Sequence, residues 1–354
     1  MNIRDAFNSK AIALVTEEVA SNKVPYLGEG LFPAKKKMGL DLKWIKTSKG
    51  LPVSLAPSAF DTVSTIRSRE GIEINETEMA FFRESMIVKE VDEQEILRVA
   101  DASDPYAKAV LERVYDDATT LVEGAKVVPE RMIMQLLNPT NGHPQISISA
   151  NGATYAYNYD PNNDYSTNNY VALSGTSVWS ATTTADPLKD VADAQDAVEA
   201  KTGTRPSKMI VSRQTMAYLK QNDNIRSAIL AQNSTANILM TDARVKELFE
   251  TELGVQIIVY TKQYKTEAGV ATKFFADGFA TLIPDGALGN TWYGTTPEER
   301  TLMGDPSVDV SIVNTGIAVA VSNTNDPVHT KTTASEIVLP SFERMDETYC
   351  IKAY

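Results

Sequence analysis

One cysteine, Cys350, stands in 354 residues, so no intrachain disulfide can form and a reducing compartment suits the chain. Histidine is almost as scarce: His143 lies beside a loop proline and His329 in a polar loop. Neither is spaced from a cysteine or carboxylate as metal ligands are, which argues against a zinc site. No run of about 18 apolar residues is present, and Met1-Asn2-Ile3-Arg4-Asp5 leads straight into polar sequence, so neither a membrane span nor a signal peptide is expected. Positive charge is in deficit: Lys and Arg total 34 against 46 Asp and Glu, a net charge of −12. That balance argues against a surface that grips nucleic acid, although a wall that merely faces nucleic acid is compatible with it. Solubility alone accounts for an acidic surplus.

Catalytic signatures are lacking too. Gly28-Glu29-Gly30 and Gly286-Ala287-Leu288-Gly289 are glycine pairs without the third glycine and strand–helix context of a nucleotide loop. There is no G-x-S-x-G elbow. Asp160-Pro161-Asn162-Asn163-Asp164 opens like a calcium loop but has Tyr165 where glycine and Val171 where glutamate are required. Asp116-Asp117 reads as the solvated edge of a helix, and Cys350, in a strand-like run near the end, as a buried inert thiol. No catalytic residue, cofactor or metal ligand is assigned.

What is present is ordinary globular composition, 43% hydrophobic and 23% charged, enough for two or three subdomains with real cores. The chain is organised around Asp104–Asn138. Asp104-Pro105 is an N-cap acid with proline at the first helical position. Apolar residues then recur in steps of three and four from Ala107 through Val122 and Ala125 to Leu136 and Leu137. Pro129 predicts a kink or two abutting helices, and Asn138-Pro139 ends the run. Ser9 to Ala20 reads as a short amphipathic helix on Ile12, Val15 and Val19. Lys23 to Lys49 looks extended and irregular, apart from a strand at Asp41–Lys46.

Leu55 to Val91 reads as a long antiparallel ribbon with charged tips and little core of its own. Asn151-Gly152, between two alternating runs, predicts a hairpin. Asp186-Pro187 to Gly203 predicts a capped helix. Lys208 to Ser212 predicts a strand, and Arg213–Lys220, Asn222–Ala231 and Asp242–Leu253 predict helices. Further strands are expected at Val255–Tyr260, Thr272–Phe275, Thr281–Ile283, Val308–Ser322, Val338–Leu339 and Tyr349–Ala353.

Four segments carry a resemblance. Leu31-Phe32-Pro33 followed by Leu42-Lys43-Trp44-Ile45 resembles the N-terminal signature of the phage capsid protein E family, the lambda-type major capsid proteins of tailed phages. Ile66-Arg67-Ser68-Arg69-Glu70-Gly71 resembles the Ile-Arg-Ser-Arg-x-Gly run of that family. Leu288-Gly289-Asn290-Thr291-Trp292-Tyr293-Gly294-Thr295-Thr296-Pro297-Glu298 and the ending from Gly304-Asp305-Pro306 are similar to its late segments. The resemblance implies an α+β chain with the Hong Kong 97 phage capsid fold. Its parts would be an N-arm at 1–56 and an E-loop at 57–91. A peripheral P-domain with spine helix and hairpin insertion would fill 92–203, and most of an axial A-domain 204–305. Strands returning to the P-domain and the C-terminus would fill 306–354.

The implied function is that of a major capsid protein, self-assembling into an icosahedral shell around the double-stranded DNA of a tailed bacteriophage, with no catalytic cycle. The implied partners are further copies of the chain as pentamers and hexamers, a scaffolding protein, a portal protein and an optional decoration protein. Packaged DNA is faced without sequence-specific binding, and no membrane is involved. The implied location is the virion, assembled in the host bacterial cytoplasm. Arm-like sequence begins almost at Met1, so a separate scaffolding protein and little or no N-terminal cleavage are expected. The expected contacts between subunits are Arg67, Arg69 and Glu70 near the ribbon tip and Ile72, Ile74 and Glu76 on its returning strand. Some relatives form isopeptide cross-links, but no Lys, Asn and Glu trio matches here. Two alternatives stay open: an encapsulin-like compartment with the same fold, and a cytosolic α+β enzyme with an unrecognised site.

Overall fold

The computed structural model describes residues 26–45, 74–88, 105–150, 152–231, 239–302, 308–325 and 328–354. In chain order come helix α1 (Leu27–Leu31) and strands β1 (Ala34–Lys36), β2 (Asp41–Ile45), β3 (Ile74–Glu78) and β4 (Ala80–Val88). Helix α2 (Pro105–Leu137) follows, with the hairpin β5 (Gln145–Ala150) and β6 (Ala153–Asn158). Ala150 faces Ala153 across the Asn-Gly turn, with Gly152 at φ 80°. Helix α3 (Asp164–Asn168) and strand β7 (Tyr170–Ala172) lead to helix α4 (Pro187–Thr202). Asp186 caps α4 by accepting from the Lys189 amide, and Gly203 closes it at φ 74°.

Strand β8 (Lys208–Val211) precedes helices α5 (Arg213–Gln221), α6 (Asp223–Ala231) and α7 (Asp242–Leu253). Ser212 caps α5 and Thr241 caps α7, each through a side-chain oxygen on the third amide. Strands β9 (Gln256–Val259), β10 (Gln263–Lys265), β11 (Ala271–Lys273), β12 (Phe279–Ile283) and β13 (Asn290–Tyr293) come next. A wide π-type turn (Glu298–Leu302) leads to β14 (Val308–Val313), β15 (Ile317–Asn325), β16 (Val328–Ser341) and β17 (Tyr349–Lys352).

The chain divides into two compact units. The first comprises 1–43, 76–132 and 289–341. Its six-stranded sheet runs β1-β13-β16-β15-β14, with β4 on β16 as well. Both β4 and β15 pair with β16 over Thr330–Ser335, so they occupy opposite edges of it. Val122 of α2 packs on Val313, Ile317, Val319 and Val321, with Ala125 beside it. The second unit comprises 44–75, 133–288 and 342–354. Its sheet runs β7-β17-β12-β8-β9, and Trp179, Met209, Phe249, Leu282 and Ile351 belong to its buried core.

Several expectations are met and others change. The α2 helix is one continuous element through Pro129 rather than two abutting helices. Proline removes one intrahelical hydrogen bond, a loss the rest of a long helix absorbs when its flanking turns are packed. Asn138 ends the helix, its amide and its Nδ2 both donating to the Met134 carbonyl at 3.0 and 2.7 Å. The segment read as irregular contains α1 and β1. Val308–Ser322 is two strands that reverse at Asn314, φ 53°.

Strand β16 spans 14 residues, where sequence pattern marks only Val338–Leu339. Its polar run Thr330–Ser335 is held by ladders on both edges. The returning half of the ribbon is likewise a sheet strand: β4 pairs with β16 from Ala80 to Val88, and Ala80 is fully buried. Only Met79 separates β3 from β4, too few residues for a reversal, so β3 pairs with β2 instead. Residues 342–354 fall in the second unit, where β17 lies between β12 and β7. The helix expected at Ser9–Ala20 and the outgoing half of the ribbon lie outside the described residues.

Candidate assembly site

The returning ribbon strand is rooted in the first unit. At its base the Met79 amide donates to the Leu40 carbonyl at 2.9 Å, and Met79 itself is buried. Alternation then puts Phe81, Arg83 and Ser85 on one face of β4. The Arg83 guanidinium lies 4.8 Å from the Phe81 ring centroid and 2.5 Å from Glu298. The second Glu298 oxygen accepts from Ser335 Oγ at 2.8 Å. Ser85 and Thr333 hydroxyls meet at 3.1 Å. A buried carboxylate with two donors, one charged, is a strong local tie. It joins the ribbon strand, β16 and the π-type turn.

Two segments far apart in sequence meet beside this root. Strand β1 runs parallel to β13, with Ala34 opposite Thr291 and Lys35 opposite Trp292. The Thr291 amide donates to the Pro33 carbonyl, and Thr291 Oγ1 donates to the Phe32 carbonyl, both at 3.0 Å. Lys35 Nζ stands 5.5 Å from the Trp292 ring centroid, and Lys36 pairs with Glu299 at 2.5 Å. Trp292 Nε1 donates to Ser341 Oγ at 3.1 Å. A Cβ on Gly289 would fall 1.8 Å from the Ser341 carbonyl oxygen and 3.0 Å from Phe32. A Cβ on Gly316 would fall 2.4 Å from the Tyr293 side chain. Phe32, Gly289, Thr291, Trp292 and Tyr293, which stand in segments that carry the family resemblance, therefore build one packed joint.

The residues expected at subunit contacts are only partly placed. Ile74 and Glu76 lie on β3. Arg67, Arg69, Glu70 and Ile72 lie outside the described residues. Among the described residues no group of His, Cys, Asp and Glu could hold a metal ion, and none of their helices is long and apolar enough to cross a membrane.

His143, isolated in sequence, meets Asp160 through Nδ1 at 3.0 Å. The same carboxylate accepts from the Tyr165 and Ser166 amides, both at 3.0 Å, so Asp160 organises a loop and the start of α3. The failed calcium signature thus has a structural use that spacing could not show. Cys350 is buried, and burial pushes its thiol up to about 12, partly offset by a contact with the Thr281 hydroxyl. In the folded chain at pH 8 a thiol reagent should therefore label essentially no cysteine, and in denaturant one per chain. Prompt labelling of the native protein would contradict the burial.

The fold is the Hong Kong 97 phage capsid fold. A phage-related protein from Bordetella bronchiseptica RB50 shares it at TM-score 0.58 and 17% identity, covering 98% of this chain and 97% of that one. A protein described as the capsid protein of an E. coli CFT073 prophage shares it at TM-score 0.57 and 15% identity, covering 98% and 99%. The model of the family described as phage major capsid protein E matches residues 11–352, and the chain belongs to that family. It is a shell-forming capsid protein of a bacteriophage, and the family is structural rather than enzymatic. No curated protein matches the sequence.

Proposed function

We propose that copies of this chain close into an icosahedral head as pentamers and hexamers around double-stranded DNA, with the ribbon of each copy lying over a neighbour. The observation that carries this reading is the anchoring of β4. The returning strand is tied into its own sheet by its ladder with β16 and by the Arg83–Glu298–Ser335 contacts. The segment between β2 and β3 holds Arg67, Arg69, Glu70 and Ile72, and it begins and ends at strands of this fold. A charged segment rooted at both ends in strands suits contacts made in trans, with Ile74 and Glu76 where it rejoins the fold. Each exposed pair contributes only about 0–1 kcal/mol, but a closed shell repeats it at every copy.

The further partners in this reading are a scaffolding protein, a portal protein and an optional decoration protein. The shell assembles in the host bacterial cytoplasm and ends in the virion. The surplus acid is weighted to the wall that faces packaged DNA. The N-arm, E-loop, P-domain and A-domain of the family are carried by these segments, with the E-loop entering and leaving at β2 and β4.

The test replaces residues 62–73 with a short Gly-Ser linker and keeps β3 and β4, because cutting into β4 would remove a sheet strand. The expected product has wild-type circular dichroism and thermal unfolding but forms no closed shells in negative-stain images, alone or co-expressed with its head genes. Normal heads from this variant would remove the ribbon from the list of contacts between copies.

A further inference from the structure

Five carboxyl groups are more than nine-tenths buried among the described residues: Glu130, Asp160, Glu298, Glu336 and Asp346. Four have donors. Glu130 accepts from the Gly28 amide, Asp160 from two amides beside His143, Glu298 from Arg83 and Ser335, and Asp346 from Lys201. Glu336 is 1% exposed, and neither carboxyl oxygen has a hydrogen-bond partner. An unpaired carboxylate is too costly to keep ionised in such a place, and an unpartnered neutral carboxyl is itself a standing cost.

Its position gives that cost a use. Glu336 lies on β16 opposite Phe82 of β4. By alternation it shares a sheet face with Ala334 and Val338, hence with their partners Val319 of β15 and Tyr293 of β13. This is the face on which Val122 and Ala125 of α2 pack. Tyr293 is raised by burial and then by the Glu336 and Glu29 charges, and Glu84 of β4 shares the face. The β15 side brings Val319 and Val321. Burial raises Glu336 well above the ordinary glutamate value.

We propose that Glu336 is a pH-sensitive latch on this sheet: neutral, it lets α2 lie closed on β14 and β15, and ionised, it loosens that face. The sign follows from linkage. The folded chain holds this proton at pH values where the unfolded chain has lost it, so folding takes up a proton. Stability from this group is complete below the usual glutamate range and declines as pH rises from about 4.5 toward the folded value. Glu336→Gln keeps the shape and cannot ionise.

Urea unfolding of the soluble full-length chain and of Glu336→Gln, from pH 4 to 9, tests the latch. The ratio of the two unfolding constants should grow with pH, up to about tenfold per unit across the window. Hydrogen exchange, corrected for intrinsic rate, should show the amides of Leu121–Lys126 and Val319–Val321 opening with pH in the wild type and not in the variant. Parallel stability curves and equal exchange would overturn the proposal. If Glu336→Gln does not fold, infrared spectra of the wild type with isotope-labelled glutamate decide. A protonated-carboxyl band that persists at pH 7 and vanishes at higher pH as α2 exchange rises supports the latch, and absence of that band at pH 7 refutes it.

Discussion

Gly289→Ala should leave no stably folded subunit, whereas Gly124→Ala should raise stability by about 0.5–1 kcal/mol. Gly124 lies inside a helix and Gly289 just before β13, and what surrounds each decides the sign of the effect. Gly124 lies exposed in the middle of α2 with nothing within 4 Å of a new Cβ, so alanine there simply lowers the backbone entropy lost on folding. At Gly289 the new methyl would sit 1.8 Å from the Ser341 carbonyl oxygen. No side-chain rotation relieves a clash with backbone. The start of β13 would have to leave β16, breaking the Asn290–Ser341 contact made through the Asn290 amide and Ser341 Oγ at 3.2 Å. Phe32 and the parallel β1 strand lean on the same joint. Ordinary overpacking costs about 1–3 kcal/mol, and this site exceeds it because the Cβ is fixed to its backbone and the group it strikes is main chain. The readout is the soluble yield and the urea midpoint of the two variants against wild type. A Gly289→Ala chain that unfolds at the wild-type midpoint would show that the β13–β16 junction yields freely.

Trp179→Ala should cost about 3–5 kcal/mol, which is a large share of the stability of a typical domain. Trp179 is fully buried in the core of the second unit. Its amide donates to the Ala353 carbonyl at 2.8 Å, and its Nε1 donates to Asp190 Oδ2 at 2.9 Å. Truncation removes the indole volume and also strips Asp190 of a donor, and burial already pushes that carboxyl up. Trp179→Phe separates the two effects. It retains most of the apolar volume and loses the Nε1 bond, so its cost should be the smaller, about 1–3 kcal/mol. Urea midpoints of the two variants, followed by far-ultraviolet circular dichroism, measure the difference. Equal losses would mean that the hydrogen bond, not the packing, dominates.

The local elements were legible because local physics decides them. Pro105 and Asn138-Pro139 bracket α2 closely, and Asp186-Pro187 with Gly203 brackets α4, since caps and proline act over three or four residues. Asn151-Gly152 marks the β5–β6 turn for the same reason. Gly289 and Phe32 were also visible, as parts of two family-like segments 257 positions apart, but nothing in either segment states that they touch. Long polar strands were the main loss. Thr330–Ser335 has no apolar alternation to read, because β4 and β15 satisfy its backbone from both edges and it needs no apolar stripe to be held. The rooting of the ribbon failed for a related reason: one intervening residue, Met79, forbids a hairpin, but only the sheet reveals that β4 then pairs with β16.

By itself the sequence determined the class of protein, through scarce chemistry, an acidic balance, one long helix and four family-like segments. Tertiary structure decided which residues carry the joint. Contacts such as Arg83 with Glu298 and His143 with Asp160 join positions that no periodicity relates. It alone separated Glu336 from the other deeply buried carboxyl groups among the described residues, because its cost arises from missing partners, and a partner is a property of three-dimensional neighbours rather than of sequence spacing.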